Sequence, residues 1–372
     1  MEDLALTASP GLPFWAGKRV LITGHSGFKG SWLTLWLLRL GARVTGISLP
    51  PMTTPSLYID ANVGEACNSV FGDIRDASSL AEFVRTARPQ IVFHLAAQPL
   101  VRASYRDPLA TLETNVMGTA YMLEALRGVD GVRVAVMVTS DKVYHAGASS
   151  RPFAESDALG GVDPYSASKA ACEIVIAGYR DAFLSSQGVA VASARAGNVI
   201  GGGDWSDDRL IPDAIRAWRA GKPLEVRRPK AVRPWQHVLE PLAGYLALAH
   251  SLWQRPTLAG PYNFGPSSAD AVPVRDVVEL ARIAYGKGDV HYGDGSEGPR
   301  ESAWLAVDAA KAAAELGVAP RLTLKQAVKW TIAWYRAQEQ GADTRQLCHA
   351  NISDFEAAAP GAVANSELAS VL

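Results

Sequence analysis

The sequence predicts an α/β fold, a doubly wound parallel sheet. Three observations carry that expectation. A strand, a glycine turn and a helix open the chain in immediate succession. Four further apolar runs that read as strands alternate with helical segments as far as residue 142. The length of 372 residues, 48% of them hydrophobic, is enough for one large domain and a smaller one.

Residues 1–13 carry Pro10 and Pro13 without periodicity and read as a loose leader. Val20, Leu21 and Ile22 then form a short buried strand, followed by Gly24, Gly27 and Gly30 at a spacing of three. Trp32, Leu33, Leu35, Trp36, Leu37, Leu38 and Leu40 continue as an apolar helix that Gly41 stops. Glycines there let backbone approach a pyrophosphate, and the helix N-terminus offers it free N–H groups. The turn therefore reads as the first half of a Rossmann-type dinucleotide site. Its first gap is one residue longer than the usual G-x-G-x-x-G, and a glycine-rich turn of any other α/β protein is the alternative.

Ala42 to Leu49 forms the second strand. It ends in Ser48-Leu49-Pro50-Pro51, with no acid to take the ribose hydroxyls, so NAD and NADP stay open at this point. The third strand runs through Ser69-Val70-Phe71 into Gly72-Asp73-Ile74-Arg75-Asp76. Asp73 is placed to accept from an adenine amino group, while Asp76 fits the N-cap of a helix over 81–86. Gln90 to Ala97 is the fourth strand, and its small terminal residues leave room for a flat ring. A helix from about Pro108 to Leu126 holds Asn115 and Gly118, poor helix formers that call for a packing or hydrogen-bonding reason. Val132 to Val138 is the fifth strand and runs into Thr139-Ser140-Asp141-Lys142. In such sheets ligands bind beyond the carboxyl ends of the strands, where Gly24, Asp73, Ala97 and Ser140 converge.

Composition excludes several function classes. A net charge of −1 carries no nucleic-acid or membrane-surface footprint. Cys67, Cys172 and Cys348 have neither metal spacing nor a disulfide framework, which suits a reducing cytoplasm. No signal peptide or membrane span is expected. The seven histidines include no H-E-x-x-H, so no metal is expected either.

Asp163-Pro164-Tyr165-Ser166-Ala167-Ser168-Lys169 opens the next helix, with Asp163 as N-cap and Pro164 as first helical residue. Tyr165 and Lys169 are four apart and share a face. A nearby ammonium lowers a phenol's pKa, so Tyr165 is a candidate base for a sugar hydroxyl.

These residues resemble the extended short-chain dehydrogenase/reductase family over roughly residues 14 to 345. The closer match is to its nucleotide-sugar dehydratases. It rests on Gly24-His25-Ser26-Gly27-Phe28-Lys29-Gly30-Ser31-Trp32-Leu33, His94-Leu95-Ala96-Ala97-Gln98-Pro99-Leu100-Val101-Arg102 and Thr139-Ser140-Asp141-Lys142. It continues in Arg195-Ala196-Gly197-Asn198-Val199-Ile200-Gly201-Gly202-Gly203-Asp204-Trp205 and in Arg233-Pro234-Trp235-Gln236-His237-Val238-Leu239-Glu240-Pro241. The resemblance implies NAD as cofactor and CDP-glucose or a related nucleotide-sugar as substrate. Cofactor contacts then fall on Gly24, Ser26, Gly27, Phe28, Lys29, Gly30, Asp73, Ile74, Leu95, Ala96, Ala97, Tyr165 and Lys169. Tyr165, helped by Lys169, takes the C4 hydroxyl proton, and Ser140 binds the same oxygen. Asp141 protonates the leaving C6 hydroxyl, and Lys142 takes the C5 proton. Gln98, Asn198, Arg209, Arg233, His237 and Arg300 become candidates for the substrate, the arginines for its pyrophosphate.

The resemblance further implies a discontinuous organisation. Residues 14–197 and 233–264 form the NAD-binding domain, and 198–232 with 265–345 form the nucleotide-sugar lobe. Residues 1–13 and 346–372 are tails, the second read as mobile because it is alanine-rich and unpatterned. A homodimer through the helices bearing Tyr165 and Asn115 is implied, with a tetramer as the alternative. The stretch His145 to Phe153 departs from the relatives' pattern, which bears on sugar identity. Two other functions stay in view. A 4-epimerase on this fold needs Tyr165, Lys169 and Ser140 but no acid and base after Ser140. A cofactor sensor without turnover would be expected to lose Tyr165 or Lys169, and both are present.

Overall fold

The computed structural model describes residues 12–145, 151–266, 271–296 and 305–359. Seven strands form one parallel sheet: β1 Arg19–Thr23, β2 Arg43–Ser48, β3 Asn68–Phe71, β4 Ile91–His94, β5 Val134–Val138, β6 Ala190–Ala196 and β7 Pro261–Phe264. Their spatial order is β7-β6-β5-β4-β1-β2-β3, so the order reverses between β1 and β4. Thr23 lies opposite Ile47 on one side and His94 on the other. The turn after β1 therefore leaves the sheet at the switch point, where a crevice opens beyond the strand ends.

Alternation along the strands feeds two apolar layers. Val20, Ile22, Phe93 and Val136 face one core with Trp32 and Leu33, while Leu21, Val92, Ala135 and Met137 face another with Leu123 and Ile176. The covering helices are α1 Phe28–Arg39, α2 Ala77–Ala87, α3, α4 Pro164–Tyr179, α5 Leu210–Arg219, α6 Leu239–Gln254, α7 Val274–Tyr285, α8 Leu324–Glu339 and α9 Thr344–Ala357. Helix α3 runs as Pro108–Leu112, a π-turn Glu113–Met117 and Gly118–Leu126. Strand β6 was not legible from the sequence. Its residues Ala-Val-Ala-Ser-Ala-Arg-Ala are all buried but carry little of the β-branched signature.

Asn115 sits inside the π-turn and explains its own presence. Its Oδ1 accepts from the Gln98 N–H at 2.8 Å, and its Nδ2 donates to the Ser168 hydroxyl at 2.8 Å. One extra residue in the turn aims the amide at both partners. Three two-stranded pairs stand apart from the main sheet: Val199–Ile200 with Gln236–His237, Val232–Pro234 with Ala271–Pro273, and Leu224–Val226 with Val290–Tyr292.

The chain beyond residue 346 departs from the expected mobile tail as far as it is described. Helix α9 is capped by the Asp343 carboxylate accepting from the Gln346 N–H. Cys348, Ile352 and Phe355 recur at helical spacing and are buried, with Phe355 edge-on to Trp36 of α1. Glu356 accepts from the Trp36 indole at 2.8 Å. The apolar stripe is only three residues long among alanines, which is why composition hid it. Residues 360–372 and 1–11 of the expected tails lie outside the described residues. Phe355→Ala is expected to cost about 3–5 kcal/mol in denaturant unfolding; an unchanged midpoint would return this segment to a tail.

Candidate active site

The crevice begins at the β1–α1 turn. Gly24 has φ +79°, and a Cβ there would lie 2.7 Å from the Ala96 amide nitrogen. A Cβ on Gly30 would fall 2.1 Å from the Gly24 carbonyl oxygen. Helix α1 starts at Phe28, so its first N–H groups face the space the missing side chains leave open. The Ser26 hydroxyl donates to the Leu49 carbonyl at 2.7 Å, and Ser48 donates to Ser26 at 2.7 Å. Ser48 and Ser26 thus close the end of β2, where an acid often stands. Leu95, Ala96 and Ala97 follow β4 directly and border the same turn, Ala96 donating its N–H to the Thr23 hydroxyl at 3.1 Å. Asp73 is gripped by Arg75, Nη2 to Oδ2 at 2.6 Å, which lowers its pKa. Asp76 caps α2 by accepting from the Ser79 N–H. The Ile74 side chain is buried in the core.

Ser140, Asp141 and Lys142 leave β5 as a short 3₁₀ turn over Asp141–Val143. The Ser140 hydroxyl donates to Asp141 Oδ1 at 3.1 Å and bonds the Tyr165 phenol. Tyr165 sits at the start of α4, which Asp163 caps by accepting from the Ser166 N–H. Burial raises the Tyr165 phenol above its ordinary 10, against the pull of Ser140 and Arg209. This differs from the expected lowering by Lys169. The Lys169 Nζ donates to the Val138 carbonyl at 3.3 Å, and burial lowers its own pKa.

Asp141 is 2% exposed, and burial raises its carboxyl above the usual range although Lys142, Arg233 and Lys29 oppose this. Its Oδ2 has no hydrogen-bond partner and lies against Gly197, where a Cβ would approach within 2.7 Å. Asp141 thus faces inward, while Lys142 lines an open cleft. Half-buried Lys29 is pulled down to about 8, by burial first and then by Arg209.

The cleft beside Lys142 takes its walls from both halves of the chain. Asn198, Arg209 and Arg233 line it, as the sequence suggested. So do Arg102, Arg227 and Arg228, which sequence reasoning missed. The adjacent pair Arg227-Arg228 before Pro229 was the available signal. Arg102 donates to Asp208 at 2.7 Å, and Arg209 donates to the Pro99 carbonyl at 3.4 Å.

Two candidates for the substrate are placed otherwise. His237 is fully buried between Trp32 and Trp330, and its Nδ1 accepts from the Leu239 N–H at 3.3 Å. It ends the short strand before α6 and is not among the residues lining the cleft. The Gln98 side chain spends its amide on Thr111 and the Leu100 N–H, so it shapes the turn after β4. Arg300 lies outside the described residues, as do 146–150 of the loop after His145.

Residues 20–257 match the NAD dependent epimerase/dehydratase family. The chain belongs to that family. It is 42% identical over 351 residues to a CDP-glucose 4,6-dehydratase of Salmonella typhimurium strain LT2, covering 93% of this chain and 98% of the relative. It is 29% identical to a dTDP-glucose 4,6-dehydratase of Xanthomonas campestris pv. campestris, covering 85% and 92%. Among solved structures, a UDP-glucose 4-epimerase of Thermus thermophilus in complex with NAD superposes with a TM-score of 0.73 at 26% identity, covering 85% and 98%.

The family's dinucleotide fits the residues present. Gly24, Gly30 and Ala96 bring their backbones too close for any side chain, which sets the N-terminus of α1 against the strand ends, where a pyrophosphate would be held. Among the described residues no helix is long and apolar enough to cross a membrane.

Burial also governs two histidines near the site. His94 is held between the Thr23 hydroxyl at 2.8 Å and the Thr119 hydroxyl at 3.3 Å, and burial lowers it to about 3. Burial lowers His237 to about 3 as well. Unfolded, both return to 6.5, so the unfolded chain binds protons the folded chain refuses. Stability is full above that value and falls as pH drops toward 3, by up to about 1.4 kcal/mol per pH unit for each histidine. Unfolding midpoints at pH 7 and pH 5 check this; equal midpoints would contradict it.

Proposed function

We propose that this chain is an NAD-dependent CDP-glucose 4,6-dehydratase, converting CDP-D-glucose to CDP-4-dehydro-6-deoxy-D-glucose and water. One observation carries the choice of elimination over epimerisation. A buried carboxyl with a raised pKa, Asp141, stands between Ser140 and a cleft-lining amine, Lys142. An epimerase has no step that uses either group. The 42% identical relative bears the same activity in its name.

When bound, NAD supplies the acceptor that takes the C4 hydrogen with its electron pair and returns it at C6. The turn at Gly24, Ser26, Gly27 and Gly30, with the strand ends at Leu95–Ala97, holds the pyrophosphate and orients the ring. Phe28, Lys29, Asp73 and Ile74 complete its surroundings, Ile74 through its backbone. Tyr165 Oη takes the C4 hydroxyl proton in its phenolate form, which Ser140 and Arg209 favour against burial, with Ser140 Oγ bonded to the same oxygen. The resulting 4-keto group acidifies the C5 proton, which Lys142 Nζ, as the neutral amine, takes and gives back to C5 once C6 has regained a hydrogen. Burial favours the protonated form of Asp141, which suits it to deliver a proton to the departing C6 hydroxyl, which leaves as water. Its carboxylate form is then supported by Lys142, Arg233 and Lys29.

Arg209, Arg233 and Asn198 hold the substrate diphosphate, joined by Arg102, Arg227 and Arg228. Residues 198–232 and 265–345 act as the substrate lobe over the dinucleotide domain, within the cytoplasm. The exposed Leu109, Leu112 and Met117 of α3 and Ile174 of α4 support a homodimer through those two helices.

Rapid-quench mass spectrometry tests the reading. It separates the starting hexose, the oxidised hexose two hydrogens lighter and the product one water lighter. Tyr165→Phe should slow formation of both later species by ~10²–10⁴-fold. Asp141→Asn should let the oxidised hexose accumulate. Retained turnover in the first variant, or equal slowing of both steps in the second, would contradict these roles. Equal product yields from CDP-, UDP-, dTDP- and GDP-glucose would contradict the base preference.

A further inference from the structure

A buried ion pair sits directly behind the site and has no part in the steps above. Glu173 lies one turn beyond Lys169 on α4, and Arg195 lies on β6; their side chains are each 3% exposed and 2.8 Å apart. Taking two charges out of water costs several kcal/mol per ion, so such a pair is weak evidence of stabilisation on its own account. Its remaining hydrogen bonds are directed. The Thr139 hydroxyl donates to Glu173 Oε1 at 2.5 Å, and Ser193 donates to Oε2 at 2.7 Å. Arg195 Nη1 donates to the Tyr144 hydroxyl at 2.8 Å, which donates onward to Asn263 Oδ1 at 2.6 Å. Asn263 in turn donates to the Phe153 carbonyl at 2.9 Å, and the Phe153 ring stacks on Tyr144 at 4.9 Å.

Thr139 and Tyr144 flank Ser140-Asp141-Lys142. The two flanks of the 3₁₀ turn are therefore tied to opposite ends of one ion pair. Asp141 needs such a tie, because its Oδ2 makes no hydrogen bond of its own. Tyr165 is placed by other means, and its phenol in turn holds the Ser140 hydroxyl, so the oxidation pair has a tie apart from the clamp. Its N–H donates to the Ser104 hydroxyl at 3.1 Å, and its carbonyl accepts from Ser168 at 2.7 Å. The Thr139 backbone is fixed in the sheet by its N–H on the Ala194 carbonyl at 3.0 Å.

We propose that the Glu173–Arg195 pair, through Thr139 and Tyr144, is a positioning clamp that holds Asp141 and Lys142 for the elimination but is dispensable for oxidation at C4. This rests on the dehydratase reading. Glu173, Arg195, Thr139 and Tyr144 are positioning residues; none of them touches the sugar. Misplacement of a reacting group by a fraction of an ångström slows a step on the order of tenfold or more.

The test uses Tyr144→Phe, which keeps the ring stack on Phe153 and deletes the bond to Arg195. Thr139→Val deletes the bond to Glu173, and Thr139→Ser keeps it. With the full chain loaded with NAD and CDP-glucose, rapid-quench mass spectrometry follows both steps, and thermal melts follow the fold. The clamp predicts oxidation within about twofold of wild type and water loss slower by on the order of tenfold in Tyr144→Phe and Thr139→Val. Thr139→Ser should be restored to wild-type behaviour. Equal slowing of both steps, or no slowing of either, would overturn the clamp. Should Tyr144→Phe fail to fold, the Thr139 pair decides by the same ratio. A wild-type chain that loses no water would overturn the dehydratase reading itself and the clamp with it.

Discussion

Backbone passes backbone at contact distance where β1 turns into α1. A methyl group on Gly30 would sit 2.1 Å from the Gly24 carbonyl oxygen, and one on Gly24 would meet the Ala96 amide at 2.7 Å. Everything at the site is arranged around that approach. It brings the N-terminus of α1 to the switch point of the sheet, beside the ends of β1 and β4. Ser140, Asp141 and Lys142 after β5 and Tyr165 of α4 arrive at the same edge, because parallel strands all end there. The constraint is steric and local, and the fold supplies the rest by topology.

The electrostatics of the site follow from dryness. Burial raises Asp141 and Tyr165 and lowers Lys169 and His94, each away from its charged form. A carboxyl whose protonated form is favoured by burial thus stands beside a cleft lined by Lys142 and arginines. The same dryness makes unpaired charge expensive, so the buried Glu173–Arg195 pair behind the turn is tied by hydrogen bonds to Thr139, Ser193 and Tyr144. The cleft beyond is different in kind. Arg102 there is braced by Asp208 and Arg209 by the Pro99 carbonyl, which suits a diphosphate.

The sheet and the catalytic edge were legible because their signals are local. Strands ended in glycine or small residues, and Asp163-Pro164 marked the start of α4. What stayed hidden lacked a local signal. The alanine-rich β6 reads as nothing until its neighbours bury it. Helix α9 is recognisable only once Cys348, Ile352 and Phe355 find α1 and α8. His237 sits in a distinctive motif, yet its ring packs between two indoles, because a motif marks position in the chain and not the direction of a side chain. Asn115 was flagged as anomalous and proved to be the reason for a π-turn. The expected effect of Lys169 on Tyr165 was outweighed by burial, which no spacing rule conveys.

The central claim is that a C4 oxidation opens the way to loss of the C5 proton and of the C6 hydroxyl. The most direct measurement is the reaction of the wild-type chain with CDP-glucose in deuterium oxide, read by NMR of the product. The account predicts a 6-deoxy sugar with solvent deuterium at C5, because the proton held by Lys142 exchanges before it is returned. A product inverted at C4 with its C6 hydroxyl intact, or a 6-deoxy product with no deuterium at C5, would contradict it.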